Sequence, residues 1–242
     1  MADIDNDHLV LISGKSGTGK SASLQYLENH EGVMYLNCET GAKLPFKNEF
    51  KEFKITDPLL VFQAFQTAEK NEKIHTIVID SLTFLMDMYE TLYIVDSPNG
   101  MKAWGHFAQY FKKLMQNYVA KSTKNVIFTA HTLDTLNEAE MIMEVKVPIK
   151  GALKNNGIES YFNCIVSTKK VLLRTLENYG SDSLIITPKE EYLGFKYVYQ
   201  TEPTKETINE RMRGPMGMWS TEETFIDNNI QLYLNRLHKF YS

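Results

Sequence analysis

Four short apolar runs, at residues 8–13, 33–37, 76–80 and 125–130, are separated by stretches in which apolar positions recur every three to four residues. A run with little polar alternation is what a strand shows when helices cover both faces of its sheet. The intervening periodicity predicts helices over 22–30, 59–70, 82–93 and 101–120. Strand and helix alternating in this way is the pattern of βαβ units and a parallel sheet. Gly32 stands where a helix C-terminal glycine is common, and Ser97-Pro98-Asn99-Gly100 marks a turn that splits the third connection.

The second half reads differently. Residues 161–167, 171–177, 183–187 and 194–201 are short strand candidates, with the turn-forming 178–182 among them. They predict antiparallel hairpins that extend the same sheet. A closing helix over 227–240 presents Ile230, Tyr233, Leu234 and Leu237 at helical spacing. With no internal repeat and no interdomain linker, the expectation is one α/β domain over residues 1–242, with a mainly parallel central sheet flanked by helices.

Composition changes this picture little. Apolar residues make up 43% and charged residues 23% of the 242, ordinary for a globular protein. No window reaches the roughly 18 consecutive apolar residues of a membrane span, so no membrane partner is expected. The first seven residues are acidic and lack a signal-peptide core. Cys38 and Cys164 are isolated thiols in apolar runs, the pattern of core cysteines in a reducing compartment, and a cytoplasmic location is expected.

Charge is more informative in its distribution than in its sum of −4. Residues 132–145 carry Asp134, Glu138, Glu140 and Glu144 and no base. Residues 146–174 carry six bases, Lys146, Lys150 and Lys154 among them, against Glu159 alone, a local +5. Such a stretch is either a solvated face or a footprint for a phosphate backbone.

The decisive chemistry lies between the first apolar run and the first helical pattern. Gly14-Lys15-Ser16-Gly17-Thr18-Gly19-Lys20-Ser21 fits G-x-x-x-x-G-K-[ST] at every position. In a strand–loop–helix setting the glycines let backbone N–H groups converge on phosphate, Lys20 reaches the β- and γ-phosphates, and the Ser21 hydroxyl ligates Mg²⁺. A nucleoside triphosphate and Mg²⁺ are therefore the expected ligands. Ile77-Val78-Ile79-Asp80-Ser81 ends a strand in a carboxylate beside that loop, where Asp80 would help hold the cation. Glu39 closes the second strand, either as a solvated acid or as the group that orients and deprotonates an attacking water.

Together, the phosphate loop, Glu39 after strand two, Asp80-Ser81 after strand three and a polar residue closing the next strand resemble the RecA-like ATPase core. The chain looks most like the small phage-encoded RecA-like ATPases, a family linked to single-strand DNA annealing and recombination. That resemblance implies that Glu39 activates water and that His131, with Thr129 beside it, senses the γ-phosphate. It implies a cationic finger from a neighbouring subunit, for which Arg211 and Arg213 are the candidates, and hence a homo-oligomer. It places DNA contacts in the loops after the third and fourth strands, where Lys146, Lys150 and Lys154 lie. Trp104, His106, Phe107, Tyr110 and Phe111 form a stripe that is either a stacking surface or core. Only seven residues precede the first strand. The separate polymerisation element of larger recombinases is therefore not expected, and a ring or short filament is.

The resulting expectation is a Mg²⁺-dependent ATPase that binds single-stranded DNA and assists phage recombination or annealing in the host cytoplasm. A nucleotide-dependent assembly switch without a DNA partner is the alternative. A small-molecule kinase fits less well, because four arginines are few for an arginine-rich lid.

Overall fold

A computed structural model describes residues 6–39, 41–155 and 157–242. The apolar runs form strands β1 (Leu9–Gly14), β2 (Val33–Asn37), β4 (Thr76–Asp80) and β5 (Asn125–His131), and a short strand β3 (Lys51–Lys54) lies between β2 and β4 in sequence. Helices α1 (Leu60–Glu69), α2 (Leu82–Tyr93) and α3 (Gly100–Lys113) fill the connections, with Leu114–Val119 continuing α3 as a wider π-type turn. A two-stranded hairpin, β6 (Leu133–Asn137) and β7 (Ile142–Lys146), follows β5 and stands apart from the main sheet. The chain then adds β8 (Cys164–Leu172), the short helices α4 (Leu173–Leu176) and α5 (Pro188–Leu193), β9 (Phe195–Gln200), β10 (Phe225–Asp227) and α6 (Ile230–Tyr241).

Eight strands share one sheet in the order β10-β9-β8-β1-β5-β4-β2-β3. The six from β8 to β3 pair in parallel, and β9 and β10 extend the sheet antiparallel. The continuous apolar runs are sorted by the pleat into two cores. Leu9, Leu11, Met34, Leu36, Ile77 and Ile79 face α1, α2 and α3. Val10, Ile12, Val33, Tyr35, Val78 and Ile127 face Leu24, Leu27 and α6. Two-sided burial is why neither polar alternation nor a polar face shows in these runs.

Register sets what meets at the carboxyl edge. Gly14 pairs with His131, Ile79 with Phe128 and Asn37 with Asp80. The four strands thus end within two residues of one another, and Gly14, His131, Asp80 and Glu39 come to one edge of a parallel sheet, where open α/β folds hold ligands.

Several expectations are corrected. The helix expected over 22–30 is a 3₁₀ segment, Ser21–Tyr26, followed by a 3₁₀ turn at His30–Gly32. Its buried anchors Leu24 and Leu27 are three residues apart, matching the three-residue turn. Ser23 tightens the start by sharing its N–H between the carbonyls of Gly19 and Lys20. The strand expected over 171–177 ends at Leu172 and turns into α4, consistent with Leu-Arg-Thr-Leu having few β-branched residues. Residues 183–187 run beside β10 without forming a ladder, held by Asp227 N–H to the Ser183 carbonyl at 2.8 Å and Ile185 N–H to Asp227 Oδ1 at 3.1 Å. In the aromatic stripe, Phe107, Tyr110 and Phe111 are buried core and His106 is exposed. Cys38 and Cys164 are free, buried thiols, and burial pushes both up, Cys164 to about 11. No helix among the described residues is long and apolar enough to cross a membrane.

Candidate functional site

The loop from Gly14 to Ser21 is shaped by close backbone approaches. A Cβ on Gly14 would stand 2.2 Å from Thr168 Oγ1 and 2.7 Å from Thr18 Oγ1, so only glycine lets the loop pass β8. Gly17 has φ +74°, a left-handed conformation that glycine adopts without strain. On the far side, the Asn228 amide donates to the Gly19 carbonyl at 2.9 Å. At the rim, Lys15 forms a 2.6 Å ion pair with Asp134 of β6, tying the loop to the hairpin.

Lys20 is buried, and its ammonium turns back into the loop. It donates to the carbonyls of Gly14 and Lys15, both at 2.9 Å, and lies 3.3 Å from His131 Nδ1. Burial pulls its pKa down to about 8, against the opposing pull of Asp80 and Glu39. The other ring nitrogen of His131, Nε2, is 3.5 Å from Glu39 Oε1. That contact holds the Glu39 carboxyl below the usual range, with burial opposing. For Nδ1 to accept from an ammonium, the ring proton belongs on Nε2, facing Glu39. The histidine therefore bridges the loop cation to the strand-end acid. Its backbone N–H is fixed by Thr83 Oγ1 of α2 at 2.9 Å.

Asp80 is buried at the end of β4 and held from both sides. Tyr35 donates to Oδ2 at 2.9 Å, and Thr129 donates to Oδ1. Burial, with Asp80 adding to it, pushes the Tyr35 phenol well up, so it remains a donor through the physiological range. Thr129, expected beside His131, donates its hydroxyl to Asp80 and is fully buried. Ser81 Oγ is buried with no hydrogen-bond partner. An unpaired hydroxyl next in sequence to a fixed carboxylate suits a hydrated hard cation, and Ser21 lines the cleft at the phosphate loop. Among the described residues no cluster of three or more His, Cys, Asp or Glu side chains forms a cation cage. Mg²⁺ held through one carboxylate, hydroxyls and substrate phosphates requires no such cage.

Other sequence-selected residues lie elsewhere. Arg211 sits between Glu159 at 3.4 Å and Glu144 at 3.6 Å, and Arg213 donates to the Phe162 carbonyl at 3.4 Å. Among the described residues that line the cleft at the phosphate loop, neither arginine is present. Lys146 is paired with Glu144 at 2.8 Å and Lys150 with Glu90 at 2.6 Å, while Lys154 is exposed. The three lysines and Arg211 border a separate cavity of about 250 Å³ beside Trp104 and Phe107.

The sequence reading missed Tyr35 as a support for Asp80. The signal was there: a hydroxyl inside a continuous apolar strand must find a partner once both faces are covered.

With this geometry in place, comparison with known proteins adds one assignment. The family model described as "AAA domain" matches residues 7–207. No curated protein matches the chain. Among solved structures, the flagellar accessory protein FlaH from Methanocaldococcus jannaschii is 13% identical, with a TM-score of 0.36, over 81% of this chain and 78% of that one.

Proposed function

This chain belongs to the AAA domain family, and on that premise we propose that it is a Mg²⁺-dependent ATP hydrolase whose nucleotide state is relayed to the β6–β7 hairpin. The observation that carries the reading is the Lys20–His131–Glu39 bridge, which closes on itself at the place a γ-phosphate would take. A nucleotide-binding P-loop domain is the general property of the family; hydrolysis, metal and switching are the proposal.

The N–H groups of residues 15–21 bind the phosphates, and Lys20 exchanges the Gly14 and Lys15 carbonyls for phosphate oxygens. Ser21 and Asp80 would hold Mg²⁺, which when bound neutralises charge on the β- and γ-phosphates. Glu39, kept ionised by His131, orients water and accepts its proton as the oxygen attacks the γ-phosphorus and the bond to the β-phosphate oxygen breaks. His131, released from Lys20, can take up a solvent proton on Nδ1 and donate it as a hydrogen bond to the γ-phosphate while Nε2–H stays on Glu39, and it loses the phosphate partner after hydrolysis.

The relay has a short path. Only Thr132 separates His131 from β6, and Thr132 N–H donates to the Gly14 carbonyl at 3.1 Å. Lys15 reaches Asp134 on the same strand. The hairpin carries exposed Leu136 and Met143, paired across its two strands on one face, an apolar patch suited to a second copy of the chain. This is the assembly-switch reading. The single-stranded DNA reading has less support, since Lys146 and Lys150 are already paired and the hairpin holds Asp134, Glu138, Glu140 and Glu144.

Turnover of Mg·ATP, measured with and without single-stranded DNA and alongside sedimentation in ADP and in a non-hydrolysable ATP analogue, tests the proposal. The switch predicts an assembly state that follows the nucleotide and a rate that DNA leaves within about twofold. Salt-sensitive DNA stimulation of tenfold or more would restore the recombination reading. An assembly state indifferent to nucleotide would remove the switch.

A further inference from the structure

A groove of about 560 Å³ opens between the end of α1 and the π-type turn that continues α3. Lys70, Lys113 and Lys121 stand around it, and Phe65 and Tyr118 form its apolar part. We propose that this groove receives the tip of the β6–β7 hairpin from a second copy of the chain, so that copies join head to tail. The inference rests on the hairpin-assembly reading above and names the surface that the hairpin meets.

The charge of the groove is unspent. All three lysines are exposed, and none is in an ion pair with a described residue. The single acid in the lining, Glu69, accepts from the Ser122 and Thr123 hydroxyls at 2.5 and 2.8 Å. Lys113 lies over the Phe62 ring, 5.2 Å from its centroid, and Tyr118 stacks on the same ring at 4.7 Å. Three cations against one acid, with an aromatic ring among them, suit an anionic partner that also carries an apolar group.

The hairpin tip has both. Residues 138–141 are all exposed, and Glu138 and Glu140 are in no ion pair with a described residue. The hairpin's other acids, Asp134 and Glu144, are already paired with Lys15 and Lys146, so its free negative charge is confined to the tip. Asn137 holds the tip in shape: its Oδ1 accepts from the N–H groups of Ala139 and Glu140 at 3.2 and 3.3 Å, and its amide donates to Glu144 at 2.9 Å. Met141 is 77% exposed beside these acids, and a thioether packs favourably against an aromatic ring such as Tyr118.

The two surfaces lie at opposite ends of β5. Lys121 comes four residues before the strand begins at Asn125, and the hairpin starts two residues after it ends at His131. The strand between them has seven residues, about 23 Å of chain. No hairpin residue is among the described residues that line the groove, so tip and groove meet only between copies. Unlike surfaces in contact make a heterologous interface, which closes into a ring or continues as a filament. A nucleic acid fits the groove less well. Its backbone calls for cations along a track, and these three surround one pocket that also holds a carboxylate.

The test uses two variants of the full chain, Glu138→Lys/Glu140→Lys and Lys113→Glu/Lys121→Glu, sedimented in a non-hydrolysable ATP analogue. Each alone sets like charges against each other and should assemble at least about tenfold more weakly than wild type. Mixed in equal amounts, each presents the charge that the other's surface needs, and assemblies of wild-type size should return. Wild-type assembly by either variant alone, or no recovery in the mixture, would overturn the docking. If wild type still follows the nucleotide in that case, the switch stands and works through another surface. Loss of oligonucleotide binding in Lys113→Glu/Lys121→Glu, without recovery of assembly on mixing, would give the groove to nucleic acid instead. If wild type is indifferent to nucleotide, or a reversed variant fails to fold, a disulfide decides the docking by itself. Ala139→Cys mixed with Asn117→Cys should cross-link several-fold more than either variant alone, and equal cross-linking would overturn the contact.

Discussion

His131 Nδ1 lies 3.3 Å from the Lys20 ammonium, and the same ring turns Nε2 toward Glu39. One imidazole thus connects the cation proposed to meet substrate phosphate to the acid proposed to activate the attacking water. Removing it as His131→Ala should lower kcat by about 10²-fold, as for loss of one positioned donor, while ATP binding measured by titration changes less than threefold. Wild-type turnover in that variant would show that the bridge is merely structural.

Glu39→Gln keeps the side chain's size and removes the base. The expected outcome is ATP bound with near wild-type affinity and hydrolysis reduced by about 10²- to 10⁴-fold, the range for a lost general base. Single-turnover phosphate release separates the two. Retained hydrolysis would move water activation to another group.

Tyr35 lies outside the lining of the phosphate-loop cleft, yet it fixes one oxygen of Asp80 from the neighbouring strand. Tyr35→Phe should leave the fold intact and weaken Mg²⁺ by about 10-fold, the lower end for loss of a support to a metal-binding group. A Mg²⁺ titration of hydrolysis at saturating ATP reads this as a shifted midpoint with an unchanged plateau. An unmoved midpoint would leave Asp80 positioned by Thr129 and the backbone alone.

The pH dependence of binding follows from Lys20. Its pKa in the free protein is about 8, and phosphate binding requires the ammonium. Below that pH the site is already charged. Above it, each nucleotide must bring a proton with it, so affinity should fall up to tenfold per pH unit, about 1.4 kcal/mol. The sign is opposite to that of a site limited by phosphate ionisation, which tightens as pH rises. Titrations from pH 7 to 9.5 decide between them, and the downward limb should vanish in Lys20→Arg, which stays charged throughout.

Much of the site was legible because two-sided burial writes itself as unbroken apolar runs. The strands at Val33–Asn37 and Thr76–Asp80 fall where the runs place them, and Asp80 and Glu39 come to the sheet edge as their strand-end positions implied. What was illegible has physical causes. Edge strand β3 is Lys-Glu-Phe-Lys, mostly exposed, so no burial pattern marks it. The β6–β7 hairpin lies off the main sheet and alternates charge with solvent-facing Leu and Met. Helix α5 did carry a signal, Thr187 followed three residues later by Glu190, and the capping box is present. The support of Asp80 by Tyr35 and Thr129 is set by strand order, with β2 and β5 flanking β4, and spacing along the chain does not encode that order.

The most direct measurement is calorimetric titration of Mg·ATP into wild-type protein and Lys20→Ala, with ADP as competitor. The phosphate-site account predicts saturable binding to the wild type, displaced by ADP, and a loss of about 10- to 100-fold when the ammonium is removed, the scale of hydrogen bonds to a charged group. Equal affinity in the two proteins, or no displaceable binding to the wild type, would contradict it.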